Sequence, residues 1–346
     1  MRKHLQLVAY GIVTASFVAC SAGDTEDAAP TDAASPVPTS DGSAPKPVPT
    51  TPGPTADAGV NDAATVKDAQ TQDASNPDAA AGPACDLAKP FGTPVLDTEL
   101  STAQPEEGAR VSPSGLELFL MREDTVGKRL YRYTRASTTA AWGNVELQLA
   151  LVVTPPTAPA SGYMTLDPTG LTGNFAVFTP GNVWQIHQSS RASVGGAWTT
   201  PSPLPGIFTA GKTDEQPFLN ANGKRLYFMS NRNGAYRIFV TTNTLGSYST
   251  PALVGPLHPS EDRFPVLSPD ELTLYSASYT GAATGMRIFK STRASVGGSF
   301  VGPVEQTELA GGSLSVPTSI SADGCEIYLS SNRRGGMDIF RARKPK

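Results

Sequence analysis

From about Asp86 onward, apolar residues alternate with polar ones over runs of four to six positions, and the runs are broken by Gly, Asn, Asp, Ser and Pro. That is the signature of half-buried strands joined by tight turns, and no stretch carries a helical period. The pattern recurs. Ser112-Pro113-Ser114-Gly115 precedes Leu118-Phe119-Leu120, Asp167-Pro168-Thr169-Gly170 precedes Phe175-Ala176-Val177-Phe178, and Asn220-Ala221-Asn222-Gly223 precedes Leu226-Tyr227-Phe228. Ser268-Pro269-Asp270-Glu271 precedes Leu274-Tyr275-Ser276, and Ser321-Ala322-Asp323-Gly324 precedes Ile327-Tyr328-Leu329. A period of roughly 50 residues is that of propeller blades.

Each unit continues in one order. A turn such as Ser230-Asn231-Arg232-Asn233-Gly234 leads into a second apolar strand, Arg237-Ile238-Phe239-Val240, then into a Gly-rich hairpin and a short strand carrying an aromatic and a Pro, as in Trp198 with Pro201 or Phe300 with Pro303. Phe91 to Leu96 matches such a closing strand ahead of the first complete unit, and the chain ends at Arg341-Ala342-Arg343 where the last closing strand is due. The expected fold is therefore all-β, a five-bladed propeller of four-stranded antiparallel blades, with an N-terminal strand completing the last blade. Leu147 to Pro159 fits the template least well.

These units resemble the WD40-like propeller repeats of TolB-type proteins, whose unit looks like Ser-Pro-Asp-Gly, Leu-Tyr-Phe, Ser-Asn-Arg-x-Gly-Gly and Asp-Ile-Phe, and Ser321 to Phe340 matches best. The resemblance implies the fold and leaves function open, because propellers host enzymes, binders and scaffolds. TolB proteins carry an additional domain ahead of the propeller, which this chain replaces with a linker, so their partners do not carry over.

The N-terminal pattern is different. Arg2, Lys3 and His4 precede a mostly apolar run, Leu5 to Ala19, which is a secretory signal over 1–19 and too short for a membrane span. Its end, Phe17-Val18-Ala19-Cys20, resembles the bacterial lipobox, making Cys20 the lipidation site and the membrane a partner through that anchor; the competing reading is a secreted protein with an unrelated Cys. Ser21 after the cysteine favours the outer membrane or cell surface, with periplasm or secretion as the alternative. Residues 20–84 are nearly all Ala, Pro, Asp, Thr, Ser and Gly without an aromatic, a composition that cannot offset its ordering entropy. We expect a disordered tether with a span of roughly 45 Å, then the propeller over 85–346.

Cysteine usage bears on the ring. The two remaining cysteines, Cys85 and Cys325, fall on one face near the seam, and an oxidising envelope compartment favours a disulfide over separate thiols. Charge excludes little: the propeller portion is close to neutral, so no nucleic-acid partner is expected. We expect a monomer without metal or cofactor, since His187 and His258 sit in different units with no ligand spacing.

The loops entering the innermost strands and the Ser-Asn-Arg turns share the face away from the tether. That candidate binding face carries Glu107, Glu215 and Glu261, with Arg122, Arg232, Arg263 and Arg333 close by. Two readings compete. The acids, with neighbours Glu106, Asp214 and Asp262, recur at equivalent positions and neutralise arginines, which leaves a non-enzymatic binding or scaffolding propeller for an envelope protein or glycan. Alternatively Glu107, Glu215 and Glu261 converge on the channel as the carboxylates of a glycoside hydrolase-like enzyme. We adopt the first as the expectation. Trp142, Trp184 and Trp198 are assigned to blade packing rather than sugar stacking.

Overall fold

The computed structural model describes residues 85–153, 161–244, 246–255, 257–281 and 285–346. The signal segment 1–19, the lipid site Cys20 and the tether 20–84 lie outside the described residues, as does the part of the apolar, Pro-rich stretch from 154 on.

Five blades form the ring. Blade one comprises β2 (Glu106–Val111), β3 (Glu117–Glu123), β4 (Lys128–Thr134) and β5 (Gly143–Leu147), preceded by β1 (Val95–Leu96). Blade two holds β6 (Ser161–Leu166), β7 (Thr172–Thr179), β8 (Val183–Ser190) and β9 (Ser202–Pro203). Blade three has β10 (Asp214–Leu219), β11 (Arg225–Ser230) and β12 (Arg237–Thr244), with an outer strand split into β13 (Ser247–Tyr248) and β14 (Ala252–Leu253). Blade four is β15 (Arg263–Leu267), β16 (Thr273–Tyr279), β17 (Met286–Thr292) and β18 (Val301–Glu305). Blade five is β19 (Ser315–Ile320), β20 (Glu326–Ser331) and β21 (Asp338–Arg343), completed by β1.

Closure follows the expected phase. Val95 pairs with Arg341 and Leu96 with Phe340, antiparallel. Gly92 N–H donates to the Arg343 carbonyl at 2.8 Å, Asp97 takes an ion pair from Arg341 at 2.8 Å, and Cys85 is bonded to Cys325 with their Cα atoms 5.7 Å apart. The seam thus joins the two ends of the folded chain by backbone, charge and covalent links.

The turn residues are where the sequence demands them. Each β2–β3-type turn closes with a residue in the left-handed region, Gly115 at φ 72°, Gly170 at 71°, Gly223 at 72° and Gly324 at 73°, where a side chain is strained. Blade four has Glu271 there at φ 59°, and its carboxylate is put to use: it accepts from Asn220 Nδ2 and Arg225 of blade three and from Arg293 of its own blade. Core clusters lie between blades rather than within them. Phe119 and Leu130 of blade one pack on Met164 and Phe175 of blade two, and Tyr227 and Ile238 of blade three on Leu267 and Leu274 of blade four. The described part of the stretch that fits the template poorly contains a short 3-10 turn, Leu149–Leu151, whose Leu151 is fully buried in the first of these clusters.

Candidate functional site at the channel mouth

The innermost strands β2, β6, β10, β15 and β19 line the central channel, and all five depart from regular pairing near their start. Register shifts fall at Glu107/Arg110, Gly162/Thr165, Glu215/Phe218, Arg263/Val266 and Pro317/Ser319. In the first four a left-handed residue marks the bulge: Gly108 at φ 67°, Tyr163 at 59°, Gln216 at 56° and Phe264 at 54°. Three of these carry side chains in a region they avoid, at a cost of about 1–3 kcal/mol each. Such bulges re-aim side chains next to functional sites. Here they turn Tyr163 and Phe264 toward each other, ring centroids 5.9 Å apart, within an apolar cluster that also contains Met121, Ala176, Ala277, Met286 and Val316.

The residue ahead of each bulge decides the chemistry above that cluster. In the first three blades these are Glu107, Gly162 and Glu215, and in the fourth Arg263. Glu107 accepts from Lys128 Nζ at 3.0 Å and from the Tyr163 hydroxyl at 3.2 Å. Burial disfavours the charge of Lys128, but Glu107 more than compensates and raises its pKa. Glu215 is different. It keeps some accessible surface yet lies deep among other groups, and it forms no hydrogen bond or ion pair among the described residues. Burial pushes its carboxyl up to about 7; Arg263 and Lys128 pull it down and Glu107 raises it further. One carboxylate held in an ion pair and a second poised to hold a proton at neutral pH are the division of roles that acid–base chemistry uses.

The acids one position earlier are structural. Glu106 pairs with Arg122 at 2.8 Å and accepts from the Thr102 amide, and Asp214 pairs with Arg232 at 2.7 Å. Asp262 pairs with Arg237 at 3.0 Å and accepts from the amides of Leu257 and His258. For these three the charge-neutralising reading holds. It holds also for Glu261, which is paired with Arg263 at 2.9 Å, but Glu261 is not the equivalent of Glu107 and Glu215: it lies two positions before Arg263, which is their equivalent. Arg122, Arg232 and Arg333 turn into the blades. Arg122 lies 4.6 Å over Tyr131, Arg232 5.0 Å over Phe228, and Arg333 4.6 Å over Phe340 while donating to the Leu309 carbonyl. The face expected to bind thus resolves into a supporting layer and a smaller mouth around Glu107, Glu215, Glu261 and Arg263.

Sequence reasoning missed Lys128 and Tyr163, and it placed Trp184 among the packing residues. Trp142 and Trp198 are indeed buried in blade interfaces. Trp184, in contrast, is half-buried at the edge of the mouth cluster, 5.4 Å from half-buried Phe178. Across the mouth, Arg263 lies 3.9 Å over Tyr236 and 5.8 Å over exposed Tyr279. Aromatic faces therefore flank the carboxylates on two sides.

No protein-family model matches the chain, and no curated protein matches it. Solved structures do. A GH43_1 enzyme from Xanthomonas citri is 13% identical with a TM-score of 0.50, covering 72% of this chain and 91% of that one. A family 117 glycoside hydrolase from Zobellia galactanivorans is 11% identical, TM-score 0.48, covering 75% and 91%. TolB from Acinetobacter baumannii is 14% identical, TM-score 0.42, covering 75% of this chain and 63% of its own length. The expectation that the chain is not an enzyme is corrected here: the similar solved propellers include a glycoside hydrolase-family enzyme, so the fold does not exclude catalysis, and Glu215 forms no ion pair among the described residues, contrary to the arginine pairing on which that expectation rested. At these identities the likeness is one of fold alone.

Proposed function

We propose that this propeller is a carbohydrate-active protein that seats a glycan at the mouth of its channel, with Glu215 as proton donor and Glu107 as its ionised partner. The observation that carries the reading is the contrast between the two carboxylates: Glu107 is tied to Lys128, whereas Glu215 has no hydrogen bond or ion pair among the described residues and is raised to about 7. A carboxyl that keeps its proton near neutrality can protonate a leaving glycosidic oxygen, and an ionised one beside it can serve the opposite face of the sugar ring. Trp184 and Phe178 on one side and Tyr236 and Tyr279 on the other supply the apolar faces on which sugar rings stack. That the similar solved propellers include glycoside hydrolases agrees with this reading without carrying it. Lipid attachment at Cys20 and the tether over 20–84 would hold the domain near cell-wall or surface glycans, raising their effective concentration.

The test is a panel of aryl glycosides and cell-wall oligosaccharides incubated with the purified protein, with products followed by mass spectrometry. One glycoside class should be cleaved, with the rate falling as pH rises through about 7. Glu215→Gln should lower the rate by roughly 100-fold or more while leaving glycan affinity in place. Binding without product would remove the acid–base roles and leave recognition; neither binding nor product would remove the proposal.

A further inference from the structure

Away from the mouth, a cleft of about 510 Å³ opens between blade four and the segment that leads from Cys85 into β1. Lys290 and Thr292 line it from the far end of β17, whose first residue, Met286, belongs to the mouth cluster. Lys89 comes from the N-terminal segment and Lys344 from the residue after β21, so three lysines meet in one cleft, and no residue lining it is acidic. Phe91 and Tyr275 lie against each other edge to face at 5.8 Å within its lining, and exposed Val301 and Val304 of β18 complete it.

The donors of this cleft are largely unused. Tyr275 is only 3% exposed, yet its hydroxyl makes no hydrogen bond among the described residues, and burial raises its pKa so that it keeps its proton. The ammonium groups of half-buried Lys290 and exposed Lys89 have neither a hydrogen bond nor an ion pair among the described residues. Lys344 stands 4.6 Å over the Phe91 ring and donates to the carbonyls of Leu87, at 3.0 Å, and Lys89, which leaves one N–H of three. Burial and the charge of Lys290 lower its pKa against the pull of Asp86 and Glu308, neither of which pairs with it or lines the cleft. Positive charge gathered in a recess without counter-charge raises the local concentration of anions.

We propose that this cleft binds a phosphate ester, with Lys89, Lys290 and the Tyr275 hydroxyl on the phosphate oxygens and Val301 and Val304 against the organic part. The donor set selects phosphate over carboxylate. A planar carboxylate is gripped best by the fork of an arginine, and no arginine lines the cleft; ammonium groups act as point charges and suit a tetrahedral, multiply charged oxyanion approached from several directions. The volume is that of a small-molecule site. The inference is independent of the glycan reading, because no residue of the cleft belongs to the mouth.

Titration calorimetry of the full-length Cys20→Ser chain, which can carry no lipid of its own, with glycerol 1-phosphate at one ionic strength should show saturable binding, while glycerol and acetate give none. Lys290→Met and Tyr275→Phe should each weaken the affinity roughly 10-fold, as expected for a hydrogen bond to a charged group. Lys224→Met, at an exposed position of blade three, should leave it unchanged. Vesicles separate the sources of the ester: sedimentation with phosphatidylglycerol but not phosphatidylcholine, lost in Lys290→Met, assigns a lipid headgroup, and binding of the soluble ester alone assigns a free solute. No saturable binding of the ester, acetate bound as tightly, or unchanged affinity in either variant would overturn the proposal. Tyr275→Phe keeps the ring against Phe91, so it removes the donor without disturbing the packing.

Discussion

Replacing Cys85 and Cys325 together by serine will lower the stability of the propeller by up to about 5 kcal/mol, the largest single loss we expect. The bond spans 240 residues, nearly the whole domain, so in the chain-entropy account it removes most of the conformational freedom that the unfolded chain would otherwise regain. It also guards the weakest joint. β1 pairs with β21 over two residue pairs, flanked by backbone bonds from Asp86, Gly92 and Asp97, and without the covalent link that short strand can separate before the rest of the ring does. Urea unfolding followed by tryptophan fluorescence, with and without reductant, measures the effect: the reduced wild type and the double variant should coincide, both well below the oxidised protein. Equal midpoints for oxidised and reduced protein would mean that the backbone and Asp97–Arg341 contacts close the ring unaided.

The second large effect lies between blades one and two. Glu117→Ala should destabilise the domain by about 3–5 kcal/mol, because it strands charge rather than merely losing a contact. Arg191 has a fully buried side chain, donates to both carboxylate oxygens of Glu117 at 3.0 and 2.5 Å, and lies 4.5 Å from the Trp198 ring. Arg132 adds a third bond to Glu117 at 2.6 Å but also reaches Glu146, so it keeps a partner when Glu117 is lost. Arg191 keeps only the Gly170 carbonyl, through Nε. Pairing Glu117→Ala with Arg191→Met should therefore restore a substantial part of the loss, and this non-additivity is the signature of a buried pair. A loss below about 1 kcal/mol in the single variant would show that the bridge behaves like an exposed one.

Much of the fold was legible because the propeller repeats one local solution. Alternation marks the strands, the Gly that ends four of the five repeat turns sits where φ is positive, and the stray closing strand at Phe91 to Leu96 gives away the seam. The candidate site was legible in part. Glu107 and Glu215 stood out as acids at the start of innermost strands, but their different fates did not, since these depend on Lys128 at the start of β4, which pairs with Glu107 and not with Glu215. The bulges hid more. A register shift of this kind leaves no mark on the alternation when the left-handed residue is Tyr163, Gln216 or Phe264 rather than glycine. Glu261 and Asp262 were aligned as though they matched Glu106 and Glu107, although counting back from the turn motifs shows the shift: Glu107, Glu215 and Arg263 each lie five residues before Ser112, Asn220 and Ser268.

The central claim is that Glu215 holds a proton near neutral pH because of where the fold puts it, and a carbon-detected NMR titration of the glutamate carboxyls, assigned with Glu215→Gln, tests it most directly. The account predicts a midpoint of about 7 for Glu215, moving higher in Lys128→Met because the ammonium group now favours the ionised form. A midpoint at the ordinary glutamate value near 4.5 would contradict it, and the channel mouth would then carry two plain carboxylates with no division of labour.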